Sequence, residues 1–133
     1  MQDVLSGEIV PILLGLSFEA TETARRMHRK YNVVSHVFCD KIPPIMRLSL
    51  CMKFHTVPHT SDERLMLHAL LDFADQLGNA DLILYLIPCT EAYANMIWHN
   101  KDLLERRFVL ADRKEMMRVW FGERDNDTEG GQK

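Results

Sequence analysis

The sequence is short of the features that would attach it to a membrane, a nucleic acid or a disulfide scaffold. It has only three cysteines, Cys39, Cys51 and Cys89. They are odd in number, far apart and form no C-x-x-C, so buried reduced thiols are expected rather than a cystine framework or a redox pair. No apolar run approaches the ~20 residues that cross a bilayer, and the N-terminus lacks a basic-then-apolar leader pattern. A cytoplasmic protein with no membrane partner is therefore expected. The formal net charge of -3 gives no basic field. No Lys/Arg stripe interleaved with aromatics is present either, which argues against nucleic acid. The cluster Arg25, Arg26, Arg29 and Lys30 reads as the solvated face of one helix. Missing too are a G-x-G-x-x-G and a glycine-rich loop ending in Lys-Ser or Lys-Thr, the two common phosphate-binding fingerprints.

What is there is a chain of 133 residues, 47% of them apolar, enough for one hydrophobic core. The stretch "VPILLGLSFEATETARRMHRKY", Val10 to Tyr31, opens on β-branched residues and leucines and breaks at Gly15. It predicts a strand over Ile9 to Leu14 buried on both faces, as parallel sheets require. Ala20, Ala24, Met27 and Tyr31 then recur at helical spacing. "VVSHVFC", Val33 to Cys39, predicts a second strand and completes a strand-helix-strand unit. Pro43 and Pro44 break the chain, and Leu48 to Val57 holds at least one extended segment that Pro58 closes.

Thr60 with Glu63 makes a capping box for the next helix, and Asp62 suits its positive end. Leu65, Leu67, Ala69, Leu70, Phe73, Ala74 and Leu77 supply its apolar face, and Gly78-Asn79 stops it. The theme repeats with a strand over Leu82 to Ile87, a break at Pro88 and a helix starting near Thr90. Asn100 interrupts that helix; a short one follows over Lys101 to Arg107, then a final strand over Phe108 to Leu110. Alternating strands and helices predict a three-layer α/β sandwich with a mainly parallel sheet. Residues 1–112 form this domain; residues 113–133 read as a linker helix running into the polar, disordered tail "GERDNDTEGGQK".

One spacing invites a metal. Cys51, His55 and His59 lie four apart, with His36 and Cys39 upstream. The pattern matches no usual structural-zinc spacing, and Pro58 disfavours the continuous helix that would align those steps, so no metal site is expected. His28, His68 and His99 fall in predicted helices without Ser/Asp or Cys/Asn companions at triad-like positions, and no catalytic residue is assigned.

"PILLG" followed by a helix carrying "ARRMHRKY", then "VVSHVFCDK" and "LILYLIPCTEAYANMIWHNKDLLERRFVLAD", resemble the Rossmann-like domain that precedes the catalytic core in ATP-grasp carboxylate-amine ligases. The branch containing D-aspartate ligase and carbamoyl-phosphate-synthetase-like proteins is the one it looks most like. The resemblance runs over about residues 9 to 112 and rests on ordered elements together with "PCTEAY" and "NKDLLERRFV". It implies a substrate-cleft domain of a longer ligase that is not catalytic alone. ATP and magnesium would then be cofactors of the full-length ligase only, and the ATP-grasp and C-terminal domains would be the partners. The alternative is a stand-alone ligand-binding or interaction module that kept the fold without the chemistry.

By this resemblance Gly15 matches the family's glycine after the first strand, and Pro88, Cys89, Thr90 and Glu91 match the turn after the fourth. Ser17 and Glu19 stand where the family commonly has Asp and Asn. The implied substrate-binding candidates are Gly15, Ser17, Phe18, Glu19, Pro88, Cys89, Thr90 and Glu91, at strand C-terminal ends where open α/β sheets place their ligand crevice. Read as residues alone, Gly15 also fits a plain turn, and Ser17, Thr90 and Glu91 fit helix caps. Trp98, Met116, Met117, Val119, Trp120 and Phe121 are the apolar residues of the late segment. They suit either the domain's own core or a weak homodimer, for which Trp98, Met117, Trp120 and Phe121 are the interface candidates.

Overall fold

The computed structural model describes residues 9–57, 62–78, 82–112, 114 and 118. In chain order the elements are β1 (Ile9–Leu14), α1 (Phe18–Tyr31), β2 (Ser35–Cys39), a 3₁₀ turn (Pro44–Leu48), β3 (Met52–Thr56), α2 (Glu63–Leu77), β4 (Ile83–Pro88), α3 (Glu91–His99), α4 (Lys101–Leu104) and β5 (Val109–Leu110). The five strands pair in the order β3-β2-β1-β4-β5, every pair parallel. This is the α/β sandwich the alternation predicts, with a Rossmann-like three-layer arrangement.

The two apolar faces explain the layers. Leu13, Val37 and Ile87 pack with Ala20 and Ala24, so α1 covers one side of the sheet. Ile12, Leu14, Phe38, Leu84 and Leu86 pack with Met66, Leu70, Phe73, Met96, Ile97 and Leu104, so α2, α3 and α4 cover the other. β1 sits at the centre, and Ile12, Leu13 and Leu14 are fully buried in succession, which is why its sequence shows no polar alternation. Pro11 is tolerated there because residues 9–11 pair only with β4; the ladder to β2 begins at Ile12.

Several boundaries differ from the sequence expectation. The cap of α2 is Asp62, whose carboxylate accepts from the Arg64 amide at 3.0 Å, while Glu63 is already helical. Thr60 lies outside the described residues, and with Asp62 in the cap position the Thr60/Glu63 box is superseded. The phase of α2 also shifts: Met66 is fully buried and Leu65 is 43% exposed. "LMLHALL" is apolar on nearly every side, so spacing alone does not choose the inward face. The strand expected over Leu82 to Ile87 runs one residue later: Pro88 still pairs with Leu14, a position that needs no Pro88 N–H because the Leu14 carbonyl accepts from the Cys89 amide. The helix expected to reach Arg107 ends at Leu104 in turns that bring the Phe108 amide back to the Leu104 carbonyl. β2 begins at Ser35 rather than Val33, since Asn32 closes α1 in the left-handed conformation at φ 59.

Candidate functional site

In an open parallel sheet the crevice opens where strand order reverses, and here that point lies between β1 and β4, the neighbours whose connections leave in opposite directions. The chain leaves β1 through Gly15 and β4 through Cys89. The Gly15 amide donates to the Phe38 carbonyl and the Cys89 amide to the Leu14 carbonyl, each at 2.9 Å, so both turns extend the ladder by one step. Ser17 then ties the turns together. Its hydroxyl donates to the Cys89 carbonyl at 3.2 Å and accepts from the Ala20 amide at 3.2 Å, capping α1 while bridging to the next turn. Thr90 caps α3 by accepting from the Tyr93 amide at 3.3 Å.

The sequence candidates thus fall into two groups. Gly15, Ser17, Cys89 and Thr90 meet at the switch point, with Pro88 at the strand end beside them. Phe18, Glu19 and Glu91 occupy the first turns of α1 and α3 and point to solvent, Phe18 being 74% exposed. The residue that spacing did not reveal is Tyr93. A Cβ placed on Gly15 would lie 2.9 Å from Thr90 Cγ2 and 3.0 Å from Tyr93 Cδ2, so the first turn of α3 fills the space beside the glycine. Only a contact between elements 78 positions apart in sequence announces this role, and no local pattern carries it.

The charge around the crevice is acidic. Among the described residues that directly follow the strands or open the helices after them, Glu19, Asp40, Asp62, Glu63, Glu91 and Asp112 stand against Lys41 and Arg64. Glu19 and Glu91 already sit in the positive first turns of their helices, which offsets the attraction those turns hold for an anion. Burial, and then the Asp40 carboxylate, raise the pKa of Cys39 and disfavour its thiolate. Among the described residues no group of three or more His, Cys, Asp or Glu side chains converges as metal ligands, and His59 lies outside them. Cys51 instead pairs with the Ser49 hydroxyl. No helix among the described residues is long and apolar enough to cross a membrane.

Beside the crevice lies an apolar groove of about 530 Å³ lined by Pro88, Ala94, Ile97, Trp98 and Leu110, with Lys101 and Glu105 at its rim. Trp98 is 70% exposed and holds Lys101 against its ring face, with Nζ 5.3 Å from the centroid. Met117, Trp120 and Phe121, the other interface candidates, lie outside the described residues, as do Met116 and Val119.

Ser17→Ala is expected to lower stability by about 1–2 kcal/mol, since it removes both a helix cap and the bridge to Cys89. Urea denaturation checks this. Ser17→Thr, which keeps the hydroxyl, should recover most of the loss. Comparison with protein-family models, with characterised proteins and with solved structures finds no match to this chain.

Proposed function

We propose that this chain is a non-catalytic, Rossmann-like domain that forms one wall of a substrate cleft, the part played by the N-terminal domain in ATP-grasp carboxylate-amine ligases. The observation that carries the reading is the position of the switch point. It falls at Gly15 and at the Pro88–Thr90 turn, the two segments singled out by the resemblance, and Ser17 joins them.

ATP and magnesium do not fit this crevice. Its carboxylates outnumber its cations, and Thr90 and Tyr93 occupy the space beside Gly15 that a phosphate would need to approach the backbone. The nucleotide and its metal belong, in this reading, to a catalytic domain that packs against the one described here. The chain alone should therefore release no phosphate from ATP in the presence of magnesium and mixed amino acids. Amide spectra should show amino-acid-induced shifts at Gly15, Ser17 and Thr90 and none there with ATP alone. Phosphate release that survives purification and disappears with one point mutation would sink the proposal, as would ligand shifts confined to other parts of the sheet.

A second reading, an interaction module that self-associates, is favoured by one observation, the exposed Trp98 beside its apolar groove. Sedimentation of the wild type and Trp98→Glu separates the two. A concentration-dependent dimer abolished by the substitution supports the module, and a wild type monomeric at high concentration removes it.

A further inference from the structure

Away from the crevice, β3 forms one edge of the sheet, and only Met52 among its five residues is buried. On its helix-covered face lies a box of four rings. His36 of β2 and His55 of β3 face each other with Nδ1 and Nε2 2.9 Å apart. Phe38 stacks on His55 at a centroid distance of 4.6 Å. Phe73 of α2 closes the box, 4.8 Å from His36, 5.0 Å from His55 and edge-on to Phe38 at 5.5 Å. The hydrogen bond between the imidazoles needs one N–H and one bare nitrogen. A first added proton places a charge inside an apolar box, and a second leaves two donors facing each other with no acceptor.

We propose that the His36–His55 pair is an acid-sensitive latch that holds edge strand β3 to the sheet and releases it locally when the imidazoles take up protons. The surroundings supply the sensitivity. Burial, then the charges of His55 and Lys53, lower His36 to about 4, and burial followed by Lys53 lowers His55. The neighbouring elements offer no counter-charge. β2 contributes Phe38, and α2 contributes Phe73; on α2, Glu63 is engaged by Asn100 and His99 and Asp75 by Arg107, while His68 and Asp72 are exposed. Among the described residues no carboxylate pairs with either ring.

The direction follows from proton uptake. With β3 released, each histidine binds a proton near its ordinary pKa of about 6.5, whereas the closed pair resists until lower pH. The latch is therefore fully closed above about pH 6.5 and weakens as pH falls toward the closed-state value. For His36 alone the opening equilibrium should rise about 20-fold between pH 7 and pH 5.

Native-state amide exchange, corrected for the intrinsic pH dependence of the chemistry, tests this. The amides of Lys53, His55 and Val57, which are the ones this register turns toward β2, should lose at least that factor of protection between pH 7 and pH 5, while those of Leu13, Leu14, Leu86 and Ile87 keep theirs. In His36→Asn/His55→Gln the side-chain amides replace Nδ1 and Nε2 without titrating, and the pH dependence of β3 should vanish. Equal loss across all strands, unchanged protection of β3, or a double variant that keeps the wild-type pH response overturns the latch. Should the double variant not fold, ring ¹⁵N shifts of the wild type decide instead. The His36 ring should remain neutral at pH 6 and the His55 ring should titrate below its ordinary range, and a ring half-protonated near the ordinary pKa of about 6.5 overturns the proposal.

Discussion

Phe38→Ala is expected to destabilise the fold by about 3–5 kcal/mol, a large share of the roughly 5–15 kcal/mol that holds a domain together. Phe38 is 2% exposed and belongs to the core between the sheet and α2. Its ring stacks on His55 and meets Phe73 edge-on, so truncation removes contacts to β3 and α2 at once. The neighbours can collapse little, because β2 is fixed by parallel ladders on both sides. Its carbonyl also accepts the Gly15 amide, so movement of β2 to fill the void would strain the first turn of the crevice. Chemical denaturation measures the effect, and Phe38→Leu should recover about half by restoring volume. A loss below about 1 kcal/mol for Phe38→Ala would mean that the core around β2 repacks freely, contrary to this account.

Gly15→Ala should cost about 2–4 kcal/mol through two separable causes. The backbone at φ +99 lies where an L side chain is strained, and the new methyl meets Thr90 Cγ2 at 2.9 Å and the Tyr93 ring at 3.0 Å. Gly78 serves as the control. It closes α2 at φ +54 with its nearest neighbour, the Asp75 carbonyl oxygen, 3.4 Å from the added methyl, so Gly78→Ala should cost only about 1 kcal/mol. A double-mutant cycle separates the causes for Gly15. In a Tyr93→Ala background the steric part should shrink by about 1 kcal/mol or more while the backbone part remains. Gly15→Ala and Gly78→Ala losses of equal size, with no coupling to Tyr93, would show that the close approach contributes nothing.

The architecture was legible because the sequence is locally consistent. Ile9 to Leu14 carries no polar alternation and is the doubly covered centre strand, and Ala20, Ala24 and Met27 mark the buried face of α1. Ser17 and Thr90 were readable as caps, and both cap. Less could be read where two signals coincided. In α2 apolar residues surround the helix, so the choice of Met66 over Leu65 came from packing against β1 and β4 rather than from period. What could not be read depends on register between distant strands. His36 and His55 meet only because Ser35 pairs with Met52 and each later residue follows in step, and a slip of one residue would send His55 to the opposite face. Tyr93 beside Gly15 belongs to the same class, a contact made by topology with no motif at either end.

The strand order also sets a sequence of events in time. β1 acquires β2 early along the chain, but its other flank waits for β4, whose ladder joins Ile9 to Ile83. As the polypeptide emerges from the ribosome, a nascent segment holding β1, α1, β2 and β3 exposes the whole length of Ile9–Leu14 as a bare apolar edge, a template for pairing with any other extended chain. Closing the long intervening loop is the slow non-local step, since its entropy is spent before a single β1–β4 hydrogen bond forms. The centre of the finished sheet is therefore an aggregation-prone edge of the unfinished one, and the interval between synthesis of Cys39 and of Pro88 is when that edge is open to wrong pairing.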